Sequence, residues 1–136
     1  MSTSTKKDHH KRLTILLIDD EQSWLESAGN LLKNESYNII IANGGEDALT
    51  KLKQKKPDLI LSDVRMPVMN GFELFEKIRE NPTLKSVPFV FMSSIDDYDA
   101  KHVAKKLGAD AYVEKPFETK DLKAVVAVLL SRFEKR

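Results

Sequence analysis

The chain has 136 residues, of which 41% are hydrophobic, a formal net charge of +1 and no cysteine. A chain of this length builds one hydrophobic core, so a large multidomain enzyme is excluded. The lack of cysteine excludes disulfide scaffolds, thiolate metal sites and cysteine nucleophiles, and any metal must therefore be held by oxygen or histidine ligands.

The charge is unevenly distributed along the chain. Residues 1–12 hold four basic side chains against Asp8, a charge of +3, which leaves −2 for residues 13–136. This balance argues against a protein that neutralises nucleic acid phosphates, and we predict no direct nucleic acid binding. Residues 1–12 are rich in Ser and Thr and lack apolar periodicity, which predicts a disordered tail rather than a functional basic arm.

No apolar run reaches the length of about eighteen residues that a membrane-spanning helix needs. The amino terminus also lacks the apolar segment of a secretory signal. We therefore expect a cytoplasmic location without membrane association.

From Leu13 onward, short β-rich apolar runs alternate with longer amphipathic stretches. The predicted strands are Leu13–Ile18, Asn38–Ala42, Asp58–Ser62, Phe89–Met92 and Ala111–Val113, and the predicted helices are 22–34, 45–55, 71–80, 96–107 and 119–134. This alternation is typical of βαβ units. It predicts one α/β domain over residues 13–136, a doubly wound sheet of five parallel strands in a (βα)₅ flavodoxin-like three-layer sandwich.

Polar residues follow the predicted strands, at the edge where doubly wound sheets carry their working sites. Asp19 and Asp20 follow the first strand, Asp63 the third, Ser93 the fourth and Lys115 the fifth. Any one acid in such a position is an ordinary loop residue. Together, these side chains predict a single site.

Carboxylates that lie close together repel one another, and their pKa values rise unless a cation neutralises them. We therefore predict a divalent ion, and Mg²⁺ suits a site made of oxygen ligands. Mg²⁺ favours phosphoryl transfer, with Asp63 as the nucleophile because its strand lies between the acidic pair and the lysine. Lys115 and Ser93 would then stabilise the charge on the transferred phosphoryl oxygens.

Four segments in chain order resemble the response regulator receiver domains of two-component signalling, over about residues 13–133. They are the apolar strand closed by Asp19-Asp20, residues 63–71 (DVRMPVMNG, matching D-x-x-M-P-x-x-x-G), residues 88–93 with their terminal serine, and residues 108–117 (GADAYVEKPF). One such segment is a weak signal, but four in register are specific.

The resemblance implies that Asp63 is phosphorylated by a histidine kinase or a histidine phosphotransfer protein. It implies a Mg²⁺ site made by Asp20, Asp63 and the Arg65 carbonyl, with Asp19 assisting through water, and a cis peptide before Pro116. It also implies a protein that is not a conventional enzyme, but catalyses its own phosphorylation from phosphodonors and its own dephosphorylation.

A switch is implied by the same resemblance. Ser93 would move toward the phosphoryl group and Tyr112 would turn into the space it leaves, which would change the surface of the fourth helix, fifth strand and fifth helix for an unidentified effector. Without the resemblance, Tyr112 reads as an ordinary half-buried strand aromatic. Arg65 and Ile95 would flank the phosphoryl group, and their side chains predict a long phosphoryl lifetime.

Several alternatives are open at this stage. A Mg²⁺-dependent phosphatase with an aspartyl nucleophile would need an acid two residues after a nucleophile at the first strand, where the sequence reads Asp19-Asp20-Glu21. A flavin or nucleotide carrier would need a Gly/Ser/Thr-rich first loop or G-x-x-x-x-G-K, and neither is present. Trp24, the only tryptophan, could anchor a phosphodonor or pack in the core. Whether the chain acts alone or within a longer protein stays open.

Overall fold

A computed structural model of the chain describes residues 12–115 and 119–134. Its strands β1 to β5 are Thr14–Ile18, Asn38–Ala42, Leu59–Asp63, Phe89–Ser94 and Ala111–Lys115, and its helices α1 to α5 are Gln22–Lys33, Gly45–Gln54, Gly71–Arg79, Tyr98–Leu107 and Thr119–Glu134. All paired strands are parallel, in the order β2-β1-β3-β4-β5. The predicted α/β fold class is confirmed.

The helices cover both faces of the sheet because alternate strand residues point to opposite sides. Leu16, Ile18 and Phe91 belong to a cluster packed with α2, α3 and α4. Ile15 and Leu17 belong to a second cluster packed with α1 and α5. These two clusters make the three-layer sandwich, with the sheet as its middle layer.

The strand order reverses at β1, because β2 lies on one side of it and β3 on the other. In doubly wound sheets such a switch point opens a crevice at the carboxyl ends of the strands. Asp19 directly follows β1 and Asp63 is the last residue of β3. Both carboxylates therefore lie at the crevice.

Three element bounds differ from prediction by two residues. Helix α4 begins at Tyr98 rather than at residue 96, because Asp97 is its N-cap and accepts a hydrogen bond from the Ala100 N–H. Strands β4 and β5 extend beyond their predicted ends because their parallel pairing continues to Ser94 and Lys115. The other bounds agree to within one residue.

Two predictions concern parts of the chain outside the described residues. They are the disordered tail, of which only Arg12 is described, and the cis peptide before Pro116. Within the described ranges, no helix combines the length and apolarity that crossing a bilayer requires.

Candidate functional site

Three carboxylates meet at the carboxyl edge of β1 and β3. Asp19 is buried, Asp20 is exposed beside it, and Asp63 is partly buried at the end of β3. One carboxylate oxygen of each lies within 4.8 Å of those of the other two. The Glu21 backbone N–H donates to Asp19 Oδ1 at 3.0 Å, which helps to orient that carboxylate. The three oxygens are close enough to share one cation.

The pKa of Asp63 reflects its burial and the repulsion between these carboxylates. Burial, followed by the Asp19 carboxylate, raises the pKa of Asp63 to about 7, while Lys115 acts in the opposite direction. A divalent cation among the carboxylates would remove this repulsion and favour the ionised form. Because all three side chains offer hard oxygen ligands, the donor set fits Mg²⁺.

Lys115 approaches the acidic group from the end of β5. Its Nζ lies 2.5 Å from Asp19 Oδ2 and 3.8 Å from Asp63 Oδ1. The same Nζ lies 4.8 Å from the centroid of the Trp24 ring, within the range of a cation–π contact. The ammonium therefore lies between the carboxylates of Asp19 and Asp63.

The loop after β3 is kept close to that strand by the first residue of α3. The Gly71 N–H donates to the Val64 carbonyl at 2.8 Å, and a Cβ atom at residue 71 would collide with the Asp63 carbonyl oxygen. Asn70 caps α3 and forms a capping box with Glu73. The glycine of the D-x-x-M-P-x-x-x-G pattern is therefore required by close packing on the strand that carries Asp63.

Asp97 connects two of the predicted site residues. Its carboxylate accepts two hydrogen bonds from Arg65, from Nε to Oδ2 at 2.8 Å and from Nη2 to Oδ1 at 2.9 Å. Asp97 Oδ2 also accepts from the Ser93 hydroxyl at 3.1 Å. These bonds lower the pKa of Asp97 to about 2, and the bond from Arg65 has the largest effect. Asp97 is therefore ionised at neutral pH.

Sequence reasoning missed Asp97. An aspartate just before an amphipathic helix is an N-cap signal, and that signal could have identified its role in α4. The nearby Asp96 and Asp99 carry the same charge, so composition does not single it out. No local pattern indicates a pair with Arg65, which lies thirty-two positions earlier in the chain.

Ser93 and Tyr112 lie on the adjacent strands β4 and β5, where the register partner of Tyr112 is Phe91, two residues before Ser93. The Ser93 side chain is buried, and its hydroxyl donates to Asp97. Burial raises the pKa of the Tyr112 phenol, whose oxygen is enclosed and makes no hydrogen bond of acceptable geometry to any described residue. The two residues of the expected switch are therefore neighbours, with the tyrosine ring turned inward.

An open cavity of about 490 Å³ gathers most of these side chains. The described residues that line it are Glu21, Trp24, Asp63, Arg65, Ser93, Ser94, Asp97 and Lys115. The expected flanking residue Ile95 is 55% exposed and is not among them. Arg65 is at the cavity, but its guanidinium is paired with Asp97.

Comparison with known proteins agrees with this geometry. The sequence profile of the family described as response regulator receiver domain matches residues 15–127. The chain is 35% identical over 120 residues to the alkaline phosphatase synthesis transcriptional regulatory protein PhoP of Bacillus subtilis, covering 88% of this chain and 49% of PhoP. It is 31% identical over 121 residues to Protein PilG of Pseudomonas aeruginosa, covering 89% and 90% of the two chains.

Solved structures show the same relationship. The fold is similar to that of the chemotaxis protein CheY4 of Vibrio cholerae, with a TM-score of 0.81 and 29% sequence identity, covering 87% of this chain and 98% of CheY4. The chain spans about half the length of PhoP and of other curated relatives that it matches.

Proposed function

The chain belongs to the response regulator receiver domain family of two-component signalling, and on this premise we propose that it is a switch whose Asp63 carboxylate accepts a phosphoryl group. The donor would be a phosphohistidine of a histidine kinase or of a phosphotransfer protein. One observation carries the proposal: a lysine ammonium, two further carboxylates and a buried hydroxyl converge around Asp63.

In the proposed transfer, an Asp63 oxygen attacks phosphorus in line while the bond to the donor imidazole nitrogen breaks and the nitrogen keeps the electron pair. When held by Asp20, Asp63 and the Arg65 carbonyl, with Asp19 assisting through water, Mg²⁺ would supply positive charge for the carboxylates and the phosphoryl oxygens. Lys115 would stabilise the same oxygens, and its ion pair with Asp19 holds the ammonium in place before transfer.

The proposed output follows from an aspartyl phosphate of about −1.5 to −2 charges with three acceptor oxygens. Ser93 would turn its hydroxyl toward one of these oxygens, and the neighbouring Tyr112 would move into the space it leaves. The change would reach the surface formed by α4, β5 and α5, where Lys101 on α4 and Glu114 on β5 are 3.7 Å apart. The effector that would bind this surface is unidentified.

The alternative of an aspartyl phosphatase gains no support from the geometry. Such an enzyme would use Asp19, at the end of β1, as its nucleophile. Asp19 is only 1% exposed and is paired with Lys115, so its carboxylate is poorly placed to attack a substrate.

The proposal is tested with acetyl phosphate and Mg²⁺. We expect one acid-stable, hydroxylamine-labile phosphoryl group at Asp63, detected by intact-protein mass spectrometry, and no labelling of Asp63→Asn. The matched variant Asp96→Asn, which removes an exposed carboxylate outside the proposed site, should be labelled like the wild type. Beryllofluoride, a phosphoryl mimic, should bind only with Mg²⁺. Labelling that persists in Asp63→Asn, or that needs no Mg²⁺, would contradict the mechanism.

A further inference from the structure

The Asp97 carboxylate links three elements of the site. It accepts hydrogen bonds from Arg65 in the loop after β3, from Ser93 on β4 and from the backbone of Ala100 in the first turn of α4. Oδ2 accepts hydrogen bonds from Arg65 Nε and the Ser93 hydroxyl, whereas Oδ1 accepts them from Arg65 Nη2 and the Ala100 backbone N–H. An ionised carboxylate only accepts hydrogen bonds, so Asp97 binds the same donors that a phosphoryl group would attract.

We propose that Asp97 is a positioning residue that holds the switch in its unphosphorylated state by occupying the Ser93 hydroxyl and the Arg65 guanidinium. This inference rests on the proposed function of Asp63 as the phosphoryl acceptor. Phosphorylation then creates a second anion that competes with Asp97 for the two donors.

The Ser93 hydroxyl can donate to Asp97 or to the phosphoryl group, but not to both at once. A serine hydroxyl has one proton, which in this structure is directed to Asp97 Oδ2. Ser93 is 1% exposed and lines the site cavity, so its hydroxyl has little contact with solvent and faces the space that the phosphoryl group would enter. A hydroxyl that turns toward the phosphoryl group therefore gives up its bond to Asp97. Any affinity of Asp97 for the hydroxyl therefore opposes phosphoryl recognition.

Asp97 also provides a route from the site to α4. Because the same carboxylate caps this helix through Ala100, loss of the Ser93 contact alters the side chain that holds the first turn of α4. Arg65, whose side chain is 60% exposed, has room to follow the new charge. The device thus couples the phosphoryl site to the helix that borders the proposed output surface.

The test measures beryllofluoride affinity in excess Mg²⁺ by calorimetry, in the wild type and in Asp97→Asn. Asparagine still caps a helix, but it lacks the charge that binds Arg65 and Ser93 strongly. We expect affinity to rise about tenfold, equivalent to about 1.4 kcal/mol. The control Asp96→Asn removes the same charge from the adjacent exposed residue and should leave the affinity unchanged.

Repeating the measurement in a Ser93→Ala protein distinguishes an effect of Asp97 on Ser93 from a general effect of removing a negative charge. In Ser93→Ala, the gain caused by Asp97→Asn should become clearly smaller, because only the Arg65 guanidinium is then left for Asp97 to hold. A gain of undiminished size in Ser93→Ala would overturn the proposal, as would unchanged affinity in Asp97→Asn. If Asp97→Asn does not fold, Asp97→Ser, which also caps a helix, takes its place with the same expected outcomes.

Failure of the underlying function gives a different result. If the wild type binds no beryllofluoride with Mg²⁺, then Asp63 is not the acceptor and both proposals fall. If the wild type binds it and Asp97→Asn does so with the same affinity, only the role of Asp97 is refuted.

Discussion

Asp63 holds its proton more strongly than an exposed aspartate, because burial and the Asp19 carboxylate raise its pKa to about 7. The same group in the unfolded chain has a pKa near its usual value of about 3.9. Between these values the folded protein binds more protons than the unfolded chain. The free energy of unfolding contributed by Asp63 therefore falls as the pH rises from about 4 to about 7.

We predict that, without Mg²⁺ at pH 8, Asp63→Asn is more stable than the wild type by about 1–2 kcal/mol, a figure reduced for solvent screening. At pH 5 the wild-type carboxyl is largely protonated, so the difference should shrink. Urea unfolding at both pH values measures this, and Mg²⁺ at pH 8 should stabilise only the wild type by binding its folded state. A stability difference that is the same at pH 5 and pH 8 would exclude the Asp63 carboxyl as its cause.

Arg65 and Ile95 bear on the lifetime of the proposed phosphoryl group. The Arg65 side chain lines the cavity and makes two hydrogen bonds to Asp97 before phosphorylation, whereas Ile95 is an exposed apolar residue. Neither side chain, as placed, presents a carboxylate or amide that would orient a hydrolytic water for in-line attack. This arrangement supports the expectation of slow dephosphorylation.

Replacing Arg65 with Asn and Ile95 with Glu opens the cavity mouth and adds a group that can orient water. We predict that dephosphorylation accelerates about tenfold, a barrier change of roughly 1.4 kcal/mol. The decay is followed after removal of the phosphodonor. The control pair Arg65→Lys with Ile95→Leu keeps the charge and the apolar character, and should decay much more like the wild type. An unchanged rate in the first pair would refute the shielding argument.

Helix α3 begins against the acceptor strand, and this contact depends on one glycine. Gly71 is buried, donates to the Val64 carbonyl, and has no room for a Cβ atom because of the Asp63 carbonyl oxygen. The colliding atom belongs to the backbone, which cannot change conformation as easily as a flexible side chain. The start of α3 and the position of Asp63 are therefore coupled.

We predict that Gly71→Ala lowers the free energy of unfolding by about 1–3 kcal/mol, as overpacking does in well-packed interiors. It should also slow phosphorylation of Asp63 by acetyl phosphate, because the strand end must shift. Gly44→Ala is the matched control, since a Cβ atom there meets nothing within 4 Å. Wild-type stability and labelling in Gly71→Ala would show that the loop yields without moving Asp63.

Helix α1 contributes Trp24, for which the sequence left two roles open. The half-buried ring packs against the cluster beneath α1 and α5 and also lines the site cavity under Lys115. Packing and exposure to the site are therefore combined in one side chain. An aromatic that is partly exposed beside the acceptor is a suitable anchor for a donor protein.

We predict that Trp24→Ala slows phosphoryl transfer from the cognate kinase more than transfer from acetyl phosphate. The protein donor would lose a contact with the ring, whereas the small donor depends on the ring only through Lys115. Trp24→Phe keeps an aromatic face and should lose less with both donors. Equal losses with kinase and acetyl phosphate would assign Trp24 to packing and lysine placement alone.

The molecule as a whole brings the site together through the order of its strands. β3 lies at the centre of the sheet with β1 and β4 on either side, so Asp63 stands between Asp19 and Ser93. β5 follows β4 and supplies Lys115, which bonds to Asp19 across ninety-six positions of the chain. Parallel strands end at one edge, and distant segments therefore deliver their last residues to the same place.

At the amino ends of the strands, an ion pair and its hydrogen bonds connect α3 to the sheet. Arg79, at the end of α3, donates to Asp110 at 3.1 Å and to the Val87 carbonyl at 3.1 Å. Asp110 in turn accepts the Phe89 N–H at 2.8 Å. These bonds join α3 to the starts of β4 and β5, at the end of the strands away from the site.

The fold and most site residues were readable from local patterns. Strand-length apolar runs, amphipathic helices and caps repeat along the chain, and parallel βαβ units leave few topologies to choose from. Once the strands are placed, their last residues identify Asp19, Asp20, Asp63, Ser93 and Lys115 as neighbours. Their roles in binding Mg²⁺ and phosphate stay predictions.

Other features required the folded chain. The pKa of Asp63 depends on burial and on Asp19, which come together only in space. The same holds for the Asp97 carboxylate, whose partners Arg65 and Ser93 lie in other elements, and for the enclosed Tyr112 hydroxyl. Periodicity in the sequence predicts which face of a helix or strand a residue occupies, and capping residues predict where a helix begins. Neither pattern predicts the distance between atoms of separate elements. Those distances determine hydrogen bonding and charge state, so only the tertiary structure decided them.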